Sequence, residues 1–332
     1  MEKVTAPYIS SMKMRSLISD NSLLLMALSR FGISLGFADK SVEEVCRAHN
    51  VDCDTFLTVA NFISGRRYDR QAISLESLMS YLKCAHRFFL DFQLPMIRRK
   101  LIEGLDCSGV DSLGFLIIRF YDEYTAEVRN HMEIENDHIF PYVDSLLQGT
   151  LAEGFQIDSY ARSHTGIGSK QKELKDMIIR YYPEKELDLL NSALFDIITC
   201  EQDLNSHCSV EDLIFIPAVE TLERRIRAEI PAESAYADQT ETRANDTAGV
   251  AITPSDADRI SSLSEREKEI VCLVARGLTN KEIAEQLFLS VHTVATHRRN
   301  IGNKLNIHSP AGLTIFAIVN GLLPISEIPR PA

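Results

Sequence analysis

Apolar residues recur at three- and four-residue intervals along most of the chain, and alternating stretches are few, so the pattern predicts helices throughout. Toward the C-terminal end, Ile270, Leu273 and Val274, then Ile283, Ala284 and Leu287, then Val294, Ile301 and Leu305 mark three helices in tandem. Ser264 with Glu267 and Thr279 with Glu282 read as capping boxes, Gly277 stops the first helix, and Ser290 caps the third. Residues 309–323 continue as a fourth helix with Thr314, Ile315, Ala317 and Ile318 on its apolar face. Near the start, Ser41 with Glu44 is another capping box ahead of a helix–turn–helix pair, with Val42, Val45, Phe56 and Val59 as core residues. Between these ends the periodicity predicts four long helices near 75–105, 112–147, 151–181 and 184–227. Pro95, Pro141 and Pro217 fall inside them, where proline kinks or ends a helix.

From Arg227 to Ile260 the pattern breaks into an Ala-, Thr-, Ser- and acid-rich stretch with Pro231 and Pro254, the composition of a tether. The expected organisation is all-α: a small helical unit at 1–65, a four-helix bundle at 70–228, a linker at 229–259 and a C-terminal domain of short helices at 260–332. A net charge of −12 argues against the whole chain binding nucleic acid, but the charge is uneven. Residues 263–332 hold 8 Lys/Arg against 6 Asp/Glu, leaving 27 against 41 in the remainder, so an acidic body carries a mildly basic head. Seven cysteines without a CxxC pair point to reduced thiols. With no signal-peptide pattern and no apolar run long enough to span a bilayer, the expectation is a cytoplasmic protein without membrane contact.

The bundle carries a repeat with ligand chemistry. HMEIENDHIFPYVDSLL starts at His131 and HCSVEDLIFIPAVETLE at His207, 76 residues later. Each His has a Glu four residues on (Glu135, Glu211) and a Pro ten residues on (Pro141, Pro217). Positions i and i+4 share a helix face, so each pair offers an imidazole and a carboxylate to one point. The other two helices each supply one His, His86 and His164. Four imidazoles and two carboxylates suit iron, manganese or zinc, and bundle cores hold paired metals in this way. A single such pair is more often a solvated contact; the shared trailing proline and common offset favour a site. Gly166 and Gly168, just after His164, each disfavour helix by about 1 kcal/mol. His138, seven residues after His131 and on nearly the same face, would either support a ligand or simply be packed, and packing is favoured.

The C-terminal skeleton LSEREKEI…GLTNKEIA…LSVHTV…HRRNI…KL closely resembles the LuxR-type helix-turn-helix domain. That resemblance and helix geometry together place the third helix in the major groove. Thr296 and Arg299 would then read base edges, while Lys281, Thr293 and Arg298 hold phosphates. The fourth helix is implied to form a homodimer, with packing onto the third helix as the alternative. Family members often have Lys where this chain has Ala295. Residues 25–227 resemble the hemerythrin-like domain, and within it the iron–sulfur-cluster repair di-iron proteins. The resemblance implies a non-haem di-iron centre held by His86, His131, Glu135, His164, His207 and Glu211, with the two Glu as bridges. The repair proteins carry adjacent cysteines near the position of Leu35–Lys40, and this chain has none there.

Together these features point to a transcriptional regulator, not an enzyme. Its di-iron domain would sense redox state, O2 or nitric oxide, and its head would bind double-stranded DNA. The alternative is a di-iron protein that repairs iron–sulfur clusters or reduces nitric oxide or peroxide and also binds DNA. A phosphorelay receiver is disfavoured, because residues 1–227 show no alternating strand–helix pattern.

Overall fold

The computed structural model describes residues 6–70, 73–105, 113–151, 157, 167–181, 187–229, 262–324 and 327. Among them no strand forms; a lone antiparallel bridge joins Lys13 and Ser41. The chain divides into two compact units, Met1–Ile97 with Thr125–Thr165 and Asp196–Ile230, and Arg98–Tyr124 with Gly166–Phe195 and Pro231–Ala332.

In the first unit, α1 (Met14–Asp20) and α2 (Leu24–Arg30) precede α3 (Val42–Ala48) and α4 (Cys53–Ile63). Ser41 and Glu44 close the expected capping box, and Asp52 caps α4 by accepting the Thr55 N–H. Val42, Val45, Phe56 and Val59 are fully buried, as the periodicity predicts. They share one apolar cluster with Leu78, Leu82, Phe140, Phe215 and Val219, so the small N-terminal helices and the long helices build a common core. Arg30, at the end of α2, is buried; it donates to Asp203 at 2.6 Å and lies over the Phe89 ring at 5.0 Å.

The long helices run near the predicted positions. α5 (Leu75–Arg87), a π segment (Phe88–Gln93) and α6 (Leu94–Gly104) form one rod. α7 (Leu113–Ile134), a π segment (Glu135–Ile139) and α8 (Phe140–Leu147) form another. α9 (Ile167–Tyr181) follows, with Gly168 in its first turn. α10 (Leu187–Val210), a third π segment (Glu211–Phe215) and α11 (Ile216–Glu229) complete the set. The three prolines therefore neither end nor break their rods. Each lies two positions past a π segment, where a wider turn accommodates the missing N–H and the ring.

The second unit contains the C-terminal helices α12 (Glu265–Ala275), α13 (Asn280–Leu287), α14 (Val291–Leu305) and α15 (Pro310–Val319). Both predicted capping boxes form, Ser290 accepts the Thr293 N–H, and Gly277 adopts φ 83° after α12. Ile270, Ile283, Val294, Ile301 and Leu305 are buried in one cluster with Leu313 and Phe316 of α15. Glu267 completes its capping box and also accepts two bonds from the Lys304 ammonium (2.6 and 2.9 Å), which ties the start of α12 to the end of α14.

Candidate metal centre and nucleic-acid interface

His86 on α5, Glu135 at the start of the second π segment, His207 on α10 and Glu211 at the start of the third converge. One ligand atom from each lies within 4.8 Å of all the others, and all four residues are buried. The i, i+4 spacing works as expected: His207 Nε2 lies 2.9 Å from Glu211 Oε1 and His131 Nε2 lies 3.3 Å from Glu135 Oε1. His86 Nε2 faces both carboxylates, at 3.2 Å from Glu135 and 3.7 Å from Glu211. Aromatic rings wall the site: Phe140 stacks on His86 at 5.5 Å, and Phe89 meets His207 edge-on at 5.7 Å.

These close approaches lack hydrogen-bond alignment. His86 Nε2, both ring nitrogens of His207 and both oxygens of Glu211 are buried with no hydrogen-bond partner among the described residues. Buried carboxylates and imidazole nitrogens left in this way cost several kcal/mol unless a cation takes their lone pairs. Two carboxylates and several imidazoles facing one point fit a metal of the iron, manganese or zinc type.

The electrostatics agree. Burial works against a charged His86, but the flanking Glu135 and Glu211 carboxylates outweigh it and raise its pKa to about 9. Burial and the Glu135 charge push Glu211 upward, while His207 and His86 hold it below the usual carboxylate range. Positive charge is favoured at the centre of this group, which is the condition a cation needs.

Of the six predicted ligands, His86, Glu135, His207 and Glu211 form the tight group and His131 adjoins it through Glu135. His164 lies outside the described residues. His138 is exposed rather than packed, because the π segment Glu135–Ile139 turns it off the His131 face. Asn136 escapes sequence reasoning: its amide oxygen lies 3.0 Å from His86 Nδ1. That contact lets Nδ1–H donate to Asn136 and aims Nε2 at the two carboxylates. The π segments also escape sequence reasoning, although Pro95, nine residues after His86, echoes the ten-residue spacing of the other two prolines.

On the C-terminal helices, the candidate DNA contacts occupy the outer side of α14 and the start of α13. Thr296, Arg299 and Lys281 are exposed, and Thr293 and Arg298 are half-buried. The Thr296 hydroxyl donates to the His292 carbonyl at 3.0 Å, and the Thr293 hydroxyl lies 2.8 Å from that of Ser290. Arg298 donates to Asn280 at 2.5 Å, bracing α14 against α13, and burial lowers its pKa. Thr314, Ile315 and Ala317 on α15 are buried within the single chain.

Residues 81–219 match the family described as Hemerythrin HHE cation binding domain. Residues 261–317 match the family described as bacterial regulatory proteins, luxR family. The chain is 47% identical over 62 residues to the transcriptional regulatory protein LiaR of Bacillus subtilis, covering 19% of this chain and 29% of that one. It is 47% identical over 79 residues to the oxygen regulatory protein NreC of Staphylococcus carnosus (24% and 36% covered). Against a putative transcriptional regulator of Pseudomonas aeruginosa it is 51% identical over 63 residues (19% and 30% covered). The chain thus spans about a third of the length of these curated relatives. No solved structure matches it. Among the described residues, no helix is long and apolar enough to cross a membrane. The chain is all-α and joins a hemerythrin HHE cation binding domain to a C-terminal luxR-family helix-turn-helix domain.

Proposed function

We propose that the protein is a cytoplasmic transcriptional regulator rather than an enzyme. In this reading its hemerythrin-type bundle (70–228) holds a non-haem di-iron centre, and its head (260–332) binds double-stranded DNA. The observation that carries the reading is the buried convergence of His86, Glu135, His207 and Glu211 in a chain that also bears a luxR-family head. In this reading His131 and His164 would complete the ligand set, and Glu135 and Glu211 would supply its carboxylates. Bound iron supplies a centre able to change oxidation state or take a small gas such as O2 or nitric oxide. The protein's own groups exclude bulk water from that centre, orient His86 through Asn136 and set its charge. On the DNA side, Thr296 and Arg299 meet base edges while Lys281, Thr293 and Arg298 hold phosphates. A homodimer would present two such helices to two half-sites. Control requires the metal state to favour one of two arrangements of the head.

The test is a metal and optical titration of the full chain, with DNA binding measured in air, without air and with nitric oxide. About two irons per chain and DNA affinity that follows the gas would support the proposal. Substoichiometric metal, or steady-state turnover of nitric oxide or peroxide with DNA affinity unchanged, would overturn it.

A further inference from the structure

Glu173 on α9 is nearly fully buried, with 6% of its surface exposed, yet it belongs to the bundle segment and its partners belong to the DNA-reading head. One carboxylate oxygen accepts the His308 backbone N–H at 2.5 Å; the other accepts the Ser309 hydroxyl at 2.7 Å. Ser309 is the N-cap of α15, and its hydroxyl accepts the Gly312 N–H at 3.0 Å. A carboxylate from one part of the chain is thus built into the cap of a helix in another, where the helix dipole favours negative charge.

The fit around it is close. A side chain at Gly312 would put its Cβ 2.9 Å from Glu173 Oε2 and 2.7 Å from Ile307 Cγ2. Leu174, Met177 and Ile178 of α9 are buried beside Glu173. On α15, Leu313, Phe316 and Ala317 belong to the head's own core, whereas Ala311 and Ile315 are buried outside it. α9 packs against α15, so α15 is covered both by the head's core and by α9. Along the chain, Glu173 follows the candidate ligand His164 by nine positions.

We infer that the α9–α15 contact, latched by Glu173, is the link through which the bundle restrains the DNA-reading head. This rests on the proposed sensing role but concerns its route. The head is governed through a buried hydrogen-bonded contact at the α15 cap, in addition to its covalent connection to the bundle. Releasing the latch frees both Glu173 bonds together and loosens the packing of α9 on α15.

The test uses the full chain as wild type, Glu173→Ala and Glu173→Gln, each with and without bound iron. Amide hydrogen exchange is followed across 308–315 and affinity is measured for a random-sequence duplex at low salt. Glu173→Ala is expected to speed exchange at His308, whose N–H loses a charged and buried acceptor, by at least about tenfold, and exchange at Gly312 by less, since its acceptor Ser309 Oγ loses only its own partner. The same change should abolish any dependence of exchange and DNA affinity on iron while leaving iron content unchanged. Glu173→Gln, which keeps shape but not charge, should fall between. Unchanged exchange at 308–315 in Glu173→Ala would overturn the latch, as would iron-dependent DNA affinity that survives in both variants. Should Glu173→Ala lose its helical signal, Glu173→Gln carries the same two tests. If DNA affinity never depends on iron even in the wild type, the sensing role fails. Accelerated exchange in the variants would still establish the latch, so the two failures remain distinct.

Discussion

Replacing Asn136 tests the candidate centre without touching a ligand. Its amide oxygen sits 3.0 Å from His86 Nδ1 and fixes the orientation of a ring whose other nitrogen faces both carboxylates. Removing such an outer partner weakens metal binding by roughly 10–100-fold, about 1.4–2.8 kcal/mol. The metal-free fold should feel the change as well. His86 carries a proton on both ring nitrogens at neutral pH, and a hydrogen bond from a charged group contributes about 1.5–3 kcal/mol, so metal-free Asn136→Leu should unfold earlier than wild type. Asn136→Asp should behave in the opposite sense, because a carboxylate on Nδ1–H makes Nε2 a better donor and adds negative charge to a site that wants a cation. Competition titration with a chelator of known affinity measures all three proteins, with thermal unfolding of the metal-free forms as control. If Asn136→Leu binds metal as tightly as wild type, His86 is not a ligand through Nε2. If Leu and Asp weaken binding equally, the effect is packing and the orientation argument fails.

Changing His131→Ala and His207→Ala together should reduce metal to background by elemental analysis; retained stoichiometric metal would reassign the ligands. The raised pKa of His86 gives metal uptake a definite pH sign. At neutral pH uptake must displace a proton, so apparent affinity climbs from pH 6.5 to about 9 and then levels, as metal titrations across that range can follow. In the metal-free protein the same group stabilises the fold fully below its ordinary pKa of 6.5, and that contribution fades as pH rises through about 9, which urea midpoints would register. Arg299→Ala should weaken site-specific DNA binding by about 1–3 kcal/mol and leave metal content alone; equal loss of both would indicate unfolding. Arg30→Met strands the largely buried Asp203 carboxylate and should cost about 3–5 kcal/mol in denaturant unfolding, most of it recovered by adding Asp203→Leu.

What could be read from the chain follows from how local each signal is. The capping boxes at Ser41, Ser264 and Thr279 need only residues three apart, and all three form. The pairs His131–Glu135 and His207–Glu211 are likewise local, because one helical turn sets both members on a face. His86 has no Glu at that spacing; it is marked only as the one His of its helix and by its counterpart position in the family pattern. Asn136 carries no periodic mark, since its role depends on a helix 50 residues away. Glu173 is harder still: its partner Ser309 lies 136 residues along the chain, and in sequence it is one more charged residue on an amphipathic helix. His138 departs from the expected packing for a different reason. Counting in turns of 3.6 fails once a π segment intervenes.

Those π segments and the prolines behind them form one device, used three times. In a regular helix the carbonyls of Asp91, Asp137 and Leu213 would each be met by the N–H four residues on, at Pro95, Pro141 and Pro217, where none exists. The chain instead widens by one residue, and the residue just ahead of each proline bonds five back: Leu94 to the carbonyl of Phe89, Phe140 to that of Glu135, Ile216 to that of Glu211. In two of the three rods the held carbonyl belongs to a residue whose carboxylate enters the candidate centre. One extra residue turns the helix beyond it by about 100°, which lets Glu135 and Glu211 face the site while Phe140 and Phe215, next along, meet each other at 5.8 Å behind it. The proline that appeared in the sequence only as a marker of the repeat is therefore part of the construction. It removes the regular alternative, so the turn that aims the carboxylate is enforced by a missing N–H rather than left to the packing around it.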